Sequence, residues 1–272
     1  MKNRKCGVGK TNLTKKISMK KVIAIINQKG GVGKTTTSLY LSRGLAQNGK
    51  KVLLIDLDPQ AHSTISLGFD PHEVKQGIHD VLLRRLDLKE AILPTEIANL
   101  SLVASHIRLD KAELELIHDP LGATKLKNTL KKLDAAFDFI VIDCRPTLGT
   151  LTYNALFACH MAIVPCEVSR YALEGMFDLM DTIRNIEEGL NSNFKIKVLL
   201  NRYDSRKKVS NDWFLQQLDD HRDLLLNTFI RVCEPLNQAH MTNASVLNID
   251  PKSSGAQDYE QLTHEILALC QN

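Results

Sequence analysis

Residues 28–36 read Gln28-Lys29-Gly30-Gly31-Val32-Gly33-Lys34-Thr35-Thr36, a composition suited to wrapping a phosphate chain. Glycines let successive backbone N–H groups turn inward, and a helix that starts where the loop ends adds the favourable end of its dipole for an anion. In such a loop Lys34 reaches the β- and γ-phosphates, and the Thr35 hydroxyl completes a Mg²⁺ shell. Acids suited to the same chemistry follow two further apolar runs. Leu53-Leu54-Ile55 leads into Asp56-Leu57-Asp58-Pro59-Gln60, and Phe139-Ile140-Val141-Ile142 closes on Asp143. Asp56 and Asp58 are expected to do different work. Beside a phosphate loop, Asp143 is suited to holding Mg²⁺ through water.

These residues need strands to deliver them to one edge. Short runs rich in Val, Ile and Leu at 21–27, 51–56, 100–104, 138–143, 160–165 and 195–201, with a weaker one at 227–232, alternate with helical patterns. The helical patterns cover 34–48, 106–117, 122–133, 150–158, 171–189, 210–220 and 256–270. Repeated β-α units of this kind predict an α/β fold: a doubly wound, mainly parallel sheet with helices on both faces and its ligand at the carboxyl ends of the strands. Gly7-Val8-Gly9-Lys10-Thr11 repeats the letters of the loop but has no apolar strand before it and no amphipathic helix after it. It is read as a decoy.

The length of 272 residues suits one such domain, which we place at 19–272 behind a basic leader, 1–18, with Met19 as an alternative start. The net charge of +4 is concentrated in that leader. It holds six of the 35 basic residues and no acid, so the remaining 29 meet 31 acidic residues. The body is therefore not globally basic, and any affinity for nucleic acid must be local. Six cysteines at 6, 144, 159, 166, 233 and 270 form no CxxC pair, which argues against a zinc site or a secreted disulfide framework. Cys144, Cys159 and Cys166 read as buried core thiols. There is no apolar run of spanning length and no apolar centre of a secretory signal, so a cytoplasmic location is expected.

The string Lys29-Gly30-Gly31-Val32-Gly33-Lys34-Thr35 resembles the KGGxGKT signature of the deviant Walker-A ATPases, the ParA/MinD family, in its Soj-like ParA branch. The strings at 56–60 and 143–149 and Tyr171-Ala172-Leu173-Glu174-Gly175 extend the likeness, although Ser169 and Arg170 depart from the family's usual acid and aromatic. The resemblance implies an ATPase using ATP and Mg²⁺. It implies that Lys29 crosses a homodimer interface to the partner's nucleotide, that Asp58 positions the attacking water, and that Asp56 lies near the metal with Thr35 and Asp143. Asn201 resembles the adenine-reading asparagine of the MinD branch, and an amide suits both donor and acceptor on the base edge. A turn cap is the other role open to it.

The implied function is partition of a plasmid, chromosome or other cargo: an ATP-bound sandwich dimer on non-specific double-stranded DNA, released when a ParB-like activator stimulates hydrolysis. That function carries a nucleoid-associated location. Arg202, Arg206, Lys207 and Lys208 are the densest cationic cluster of the body and the first candidates for phosphate contact, with Arg231 and Lys252 as further ones. Arg145 stands where the family has proline; anion binding and altered interface contacts are both open to it. Two alternatives belong to other classes. A MinD-like membrane-associated ATPase needs a basic amphipathic tail, but residues 258–272 hold three acids and no Lys or Arg, and Leu262, Ile266 and Leu269 are expected to dock on the core. An iron–sulfur or nitrogenase-iron-protein-like relative needs cluster-spaced cysteines, a spacing this chain lacks.

Overall fold

The computed structural model describes residues 20–133, 136–190, 194–234, 236, 250 and 252–271. The leader, the decoy string, Met19 and Pro251 lie outside the described residues. Seven strands, β1 (Lys21–Ile25), β2 (Val52–Leu57), β3 (Ile92–Pro94), β4 (Leu100–Val103), β5 (Phe139–Cys144), β6 (Met161–Glu167) and β7 (Lys195–Asn201), form one sheet in the order β3-β4-β2-β5-β1-β6-β7. Every neighbouring pair is parallel except β3 with β4. Because β1 lies between β5 and β6, the residue after it opens into the crevice where the winding direction changes, the usual ligand position in such sheets.

The helices are α1 (Lys34–Gln47), α2 (His62–Ser66), α3 (Ile78–Leu82), α4 (Arg108–Ile117), α5 (Lys125–Lys132), α6 (Thr150–Ala158), α7 (Arg170–Leu190), α8 (Lys208–Gln217) and α9 (Ser254–Gln271). Strand alternation divides the apolar core into two layers. Val22, Ala24, Ile26, Leu53 and Ile55 face one layer, with side chains of α3 to α8. Ile23, Ile25, Val52 and Leu54 face the other, with Leu39, Leu41 and Leu45 of α1 and Tyr259, Leu262 and Ile266 of α9. A sheet buried on both faces explains why its strands read as unbroken apolar runs.

Three features differ from the sequence expectation. The antiparallel edge strand β3 is added, together with the five-residue helices α2 and α3. Residues 227–232 form no strand; two isolated bridges, Val198 to Leu225 and Tyr203 to Arg231, mark where this stretch runs beside β7. Its donors are divided. Leu226 N and Ile230 N bond to β7 carbonyls, whereas Asn227 N and Thr228 N go to the Glu265 carboxylate and Arg231 N to Asp258, both on α9. Side chains take the N–H groups that a ladder would have used.

The tail helix docks as expected, with Leu262 and Ile266 buried and Leu269 packed beside them. Among the described residues no helix is long and apolar enough to cross a membrane. The α1–α9 contact is close. The Tyr40 and Tyr259 rings stack at 4.9 Å, and a Cβ placed on Gly44 would lie 2.2 Å from Thr263 Oγ1, a hydroxyl that donates to Tyr259 O at 2.8 Å. Gly44→Ala should therefore overpack this seam and destabilise the chain by about 1–3 kcal/mol. Thermal unfolding should show the loss, and adding Thr263→Ala should recover part of it.

Candidate active site

The phosphate loop is held at both ends. Asn27 donates from Nδ2 to Pro165 O (2.7 Å) and accepts Lys29 N at Oδ1 (2.9 Å), tying the loop's entry to β6. Gly31 and Gly33 take φ of 75° and 91°, the left-handed region where glycine carries no Cβ penalty. At Gly33 the need is doubled, because a Cβ would sit 2.1 Å from Asn201 Nδ2. No side chain among the described residues caps α1, so its first N–H groups remain available to an anion.

The two lysines of the loop have different surroundings. Lys34 is buried, 7% exposed, and donates from Nζ to Lys29 O at 2.9 Å. Burial lowers its pKa, opposed by the nearby Asp143, Cys144 and Asp58. Lys29 keeps its side chain half exposed, with Nζ 3.6 Å from Glu167 Oε2; Arg202 Nη1 lies 3.1 Å from the other oxygen of that carboxylate. One amine lines the loop and the other lies on the surface outside it.

Asp56 and Asp143 stand side by side, being register partners at the ends of β2 and β5. Asp143 accepts from Ser38 Oγ (3.1 Å) at one oxygen and Ser63 Oγ (2.7 Å) at the other, and from Thr35. Burial pushes its pKa up to about 6. Asp56 is fully buried, and burial followed by the charge of Asp143 pushes it up to about 8. Its Oδ2 takes both Thr64 N (2.8 Å) and Thr64 Oγ1 (2.7 Å), and its Oδ1 takes Asp58 N at 3.2 Å. A hydroxyl beside a carboxylate at the start of α1 fits a magnesium ion, so Thr35 and Asp143 are the pair that suits the metal. Asp56 has other partners: it braces α2 and the turn after β2. Asp58, just past β2 and 9% exposed, turns the chain by accepting Gln60 N at 3.0 Å.

Beside the loop, a cleft is lined by Gly31, Gly33, Thr36, Asn201, Arg202, Arg231 and Tyr259, among others. Asn201 is buried; its Nδ2 donates to Val32 O (2.7 Å) and its Oδ1 accepts Arg202 N (2.9 Å). The amide thus closes the loop from behind. Arg231 forms a two-nitrogen ion pair with the buried Asp258, 2.7 Å at the shortest, and walls the cleft. Arg206 is paired with Asp204, whose carboxyl it holds down at about 2 through hydrogen bonding. Lys207 and Lys208 sit exposed at the start of α8, and Lys252 is exposed ahead of α9.

The structure thus gathers Lys29 to Thr36, Asp56, Asp58, Asp143 and Asn201 around one crevice, while Arg206 and Lys207 lie on the loop beyond β7 and Lys208 opens α8. Sequence reading overlooked Asn27, Ser38, Ser63, Thr64 and Glu167. Glu167 had a signal, being an acid at the carboxyl end of a strand like Asp56 and Asp143. The hydroxyls had none, because their partner lies up to 105 residues away. Cys144, Cys159 and Cys166 are buried, as expected.

Residues 20–196 match a family described as an AAA domain. The chain is 38% identical over 251 residues to the sporulation initiation inhibitor protein Soj of Bacillus subtilis, covering 92% of this chain and 99% of that protein. Among solved structures, the cobyrinic acid a,c-diamide synthase of Mycobacterium smegmatis with bound ADP and magnesium matches with a TM-score of 0.81 at 34% identity, over 93% of this chain and 96% of the other. A putative plasmid partition protein of Borrelia burgdorferi bound to AMPPNP matches with 0.73 at 28%, over 92% and 98%.

The buried carboxyl pair makes a signed prediction. Both pKa values are raised in the fold, so above the ordinary carboxylate range the folded chain holds more protons than the unfolded one, and stability falls as pH rises. For Asp143 the loss runs from about pH 4 to about 6, and for Asp56 on to about 8. Thermal unfolding of nucleotide-free protein should show the wild type losing stability relative to Asp143→Asn across this window. Parallel pH profiles would contradict it.

Proposed function

The chain belongs to the ParA/Soj family of P-loop partition ATPases, and from that premise we propose that it is a nucleotide-timed switch for segregating DNA or another cargo. In this reading it binds ATP with Mg²⁺, closes as a sandwich homodimer on non-specific duplex DNA, and is released by hydrolysis that a ParB-like partner accelerates. The observation that carries the reading is the separation of the two loop lysines: Lys34 is enclosed against the loop backbone and Lys29 is half exposed outside it. One amine serves the subunit's own phosphates, and the other is free to serve a neighbour's.

The geometry supports the following roles. Backbone N–H groups of Gly30 to Thr36 bind the phosphates and Lys34 neutralises their charge inside the loop. Thr35 and Asp143 would hold the magnesium ion, which when bound would supply charge neutralisation at the phosphates. Asp58, at the mouth of the crevice, orients the attacking water. Lys29 leaves Glu167 and reaches across, which makes closure conditional on two loaded subunits. Asn201 keeps the loop and the base-side wall in register, a placement that favours positioning over direct adenine contact. Solvent-facing Lys207 and Lys208, with Arg206, form the DNA-facing candidates. Contact of that kind weakens steeply with salt and depends little on base sequence.

Light scattering with ADP and with a non-hydrolysable ATP analogue, with and without arbitrary duplex DNA, tests the reading. Lys34→Ala should lose nucleotide binding, whereas Lys29→Ala should keep monomer affinity within about threefold and fail to dimerise; equal loss of both properties rejects the division of labour. Asp58→Ala should bind ATP and dimerise but turn over at least about 100-fold more slowly, a typical contribution for a group that orients or accepts a proton from the attacking water. Undiminished turnover would remove Asp58 from the mechanism.

A further inference from the structure

Arg145 lies two residues beyond Asp143, on the loop that joins β5 to α6. The sequence leaves its role open between anion binding and an altered interface; in the fold its guanidinium turns toward two carboxylates. Nη1 meets Glu113 Oε2 at 2.5 Å and Asp110 Oδ1 at 3.2 Å, both on α4. The Glu113 side chain is only 14% exposed and that of Arg145 23%, so this contact is far better shielded from solvent and salt than the Lys29–Glu167 pair.

Glu113 has a second task. Its other oxygen, Oε1, accepts Leu151 N in the first turn of α6 at 3.2 Å, an acid placed where the helix leaves N–H groups unpaired. Gly149 makes the approach possible, since a Cβ there would lie 2.6 Å from Oε1. One carboxylate therefore grips both ends of the loop, at Arg145 and at Leu151. Thr152 Oγ1 closes the same loop from within by donating to Thr147 O at 2.5 Å.

We propose that Arg145 and Glu113 form an ionic splint that holds the 144–150 loop against α4 and so positions Asp143 for the metal. The reading rests on the assignment of Asp143 made above. In the family string a proline stands at this position, and a proline ring stiffens a chain by fixing φ. Here a cation–carboxylate clamp supplies the stiffness instead. Arg145 acts through the loop.

The splint is distinguished from a plain charge by comparing Arg145→Ala, Arg145→Pro and Glu113→Gln. In nucleotide-free protein, amide exchange across 147–151 should quicken about tenfold or more in Arg145→Ala and Glu113→Gln and stay near wild type in Arg145→Pro. Affinity for ADP in the presence of Mg²⁺ should fall about tenfold in the first two, the scale on which supports behind a metal ligand act. It should be retained in Arg145→Pro, with ADP affinity in chelator unchanged throughout. Unchanged exchange in Glu113→Gln overturns the splint, as does Arg145→Pro behaving like Arg145→Ala. If the exchange pattern holds but wild-type ADP binding is indifferent to Mg²⁺, the metal assignment of Asp143 fails and the loop clamp stands.

Discussion

A triphosphate can be held firmly only where fixed positive potential is kept out of water, and the turn from β1 into α1 supplies this with the backbone itself. Among the described residues no side chain caps the first N–H groups of α1, and the left-handed Gly31 and Gly33 aim the chain so that those groups face the crevice. The rest of the site is arranged around that turn. Asn27 ties its entry to β6 and Asn201 backs its middle from β7, so three adjacent parallel strands hold one loop. Sub-ångström placement of donors is what electrostatic catalysis requires, and a loop fastened on both sides provides it before any ligand arrives.

Opposite the donors the chain keeps two carboxyl groups in the dry interior, an arrangement that burial and mutual repulsion both disfavour. The cost is contained by hydroxyls and backbone. Thr64 and Asp58 N satisfy Asp56, and Ser38, Ser63 and Thr35 satisfy Asp143. Lys34 is the nearby opposing charge, itself pushed toward neutrality by burial. A divalent cation held by Thr35 and Asp143, as proposed above, would relieve this imbalance. Glu113 and Arg145 extend the same economy outward by fixing the loop beyond Asp143.

The parallel strands are legible because both faces are buried and the sequence shows it as unbroken Val, Ile and Leu runs. The phosphate loop is legible because its glycines, lysine and threonine sit between a strand and a helix. Smaller elements leave no comparable trace. β3 is three residues ending in proline, and α2 and α3 are too short to show a helical period. The expectation of a strand at 227–232 fails because carboxylates of α9 take its donors, a partnership between distant segments that no local pattern carries. In the site, the residue types that bind were legible, whereas the residues that hold them, such as Ser63 and Glu113, were not. Arg145 was visible as an oddity, and only the approach of α4 gives it a role.

The last helix stacks Tyr259 on Tyr40 and sends Asp258 to Arg231, so the wall of the cleft beside the loop is built from opposite ends of the polypeptide. During synthesis the glycine turn emerges from the ribosome more than two hundred residues ahead of that wall. A nascent chain thus carries the phosphate grip long before it carries the rest of the pocket. The cleft beside the loop is therefore complete only once residues past 259 have joined the fold.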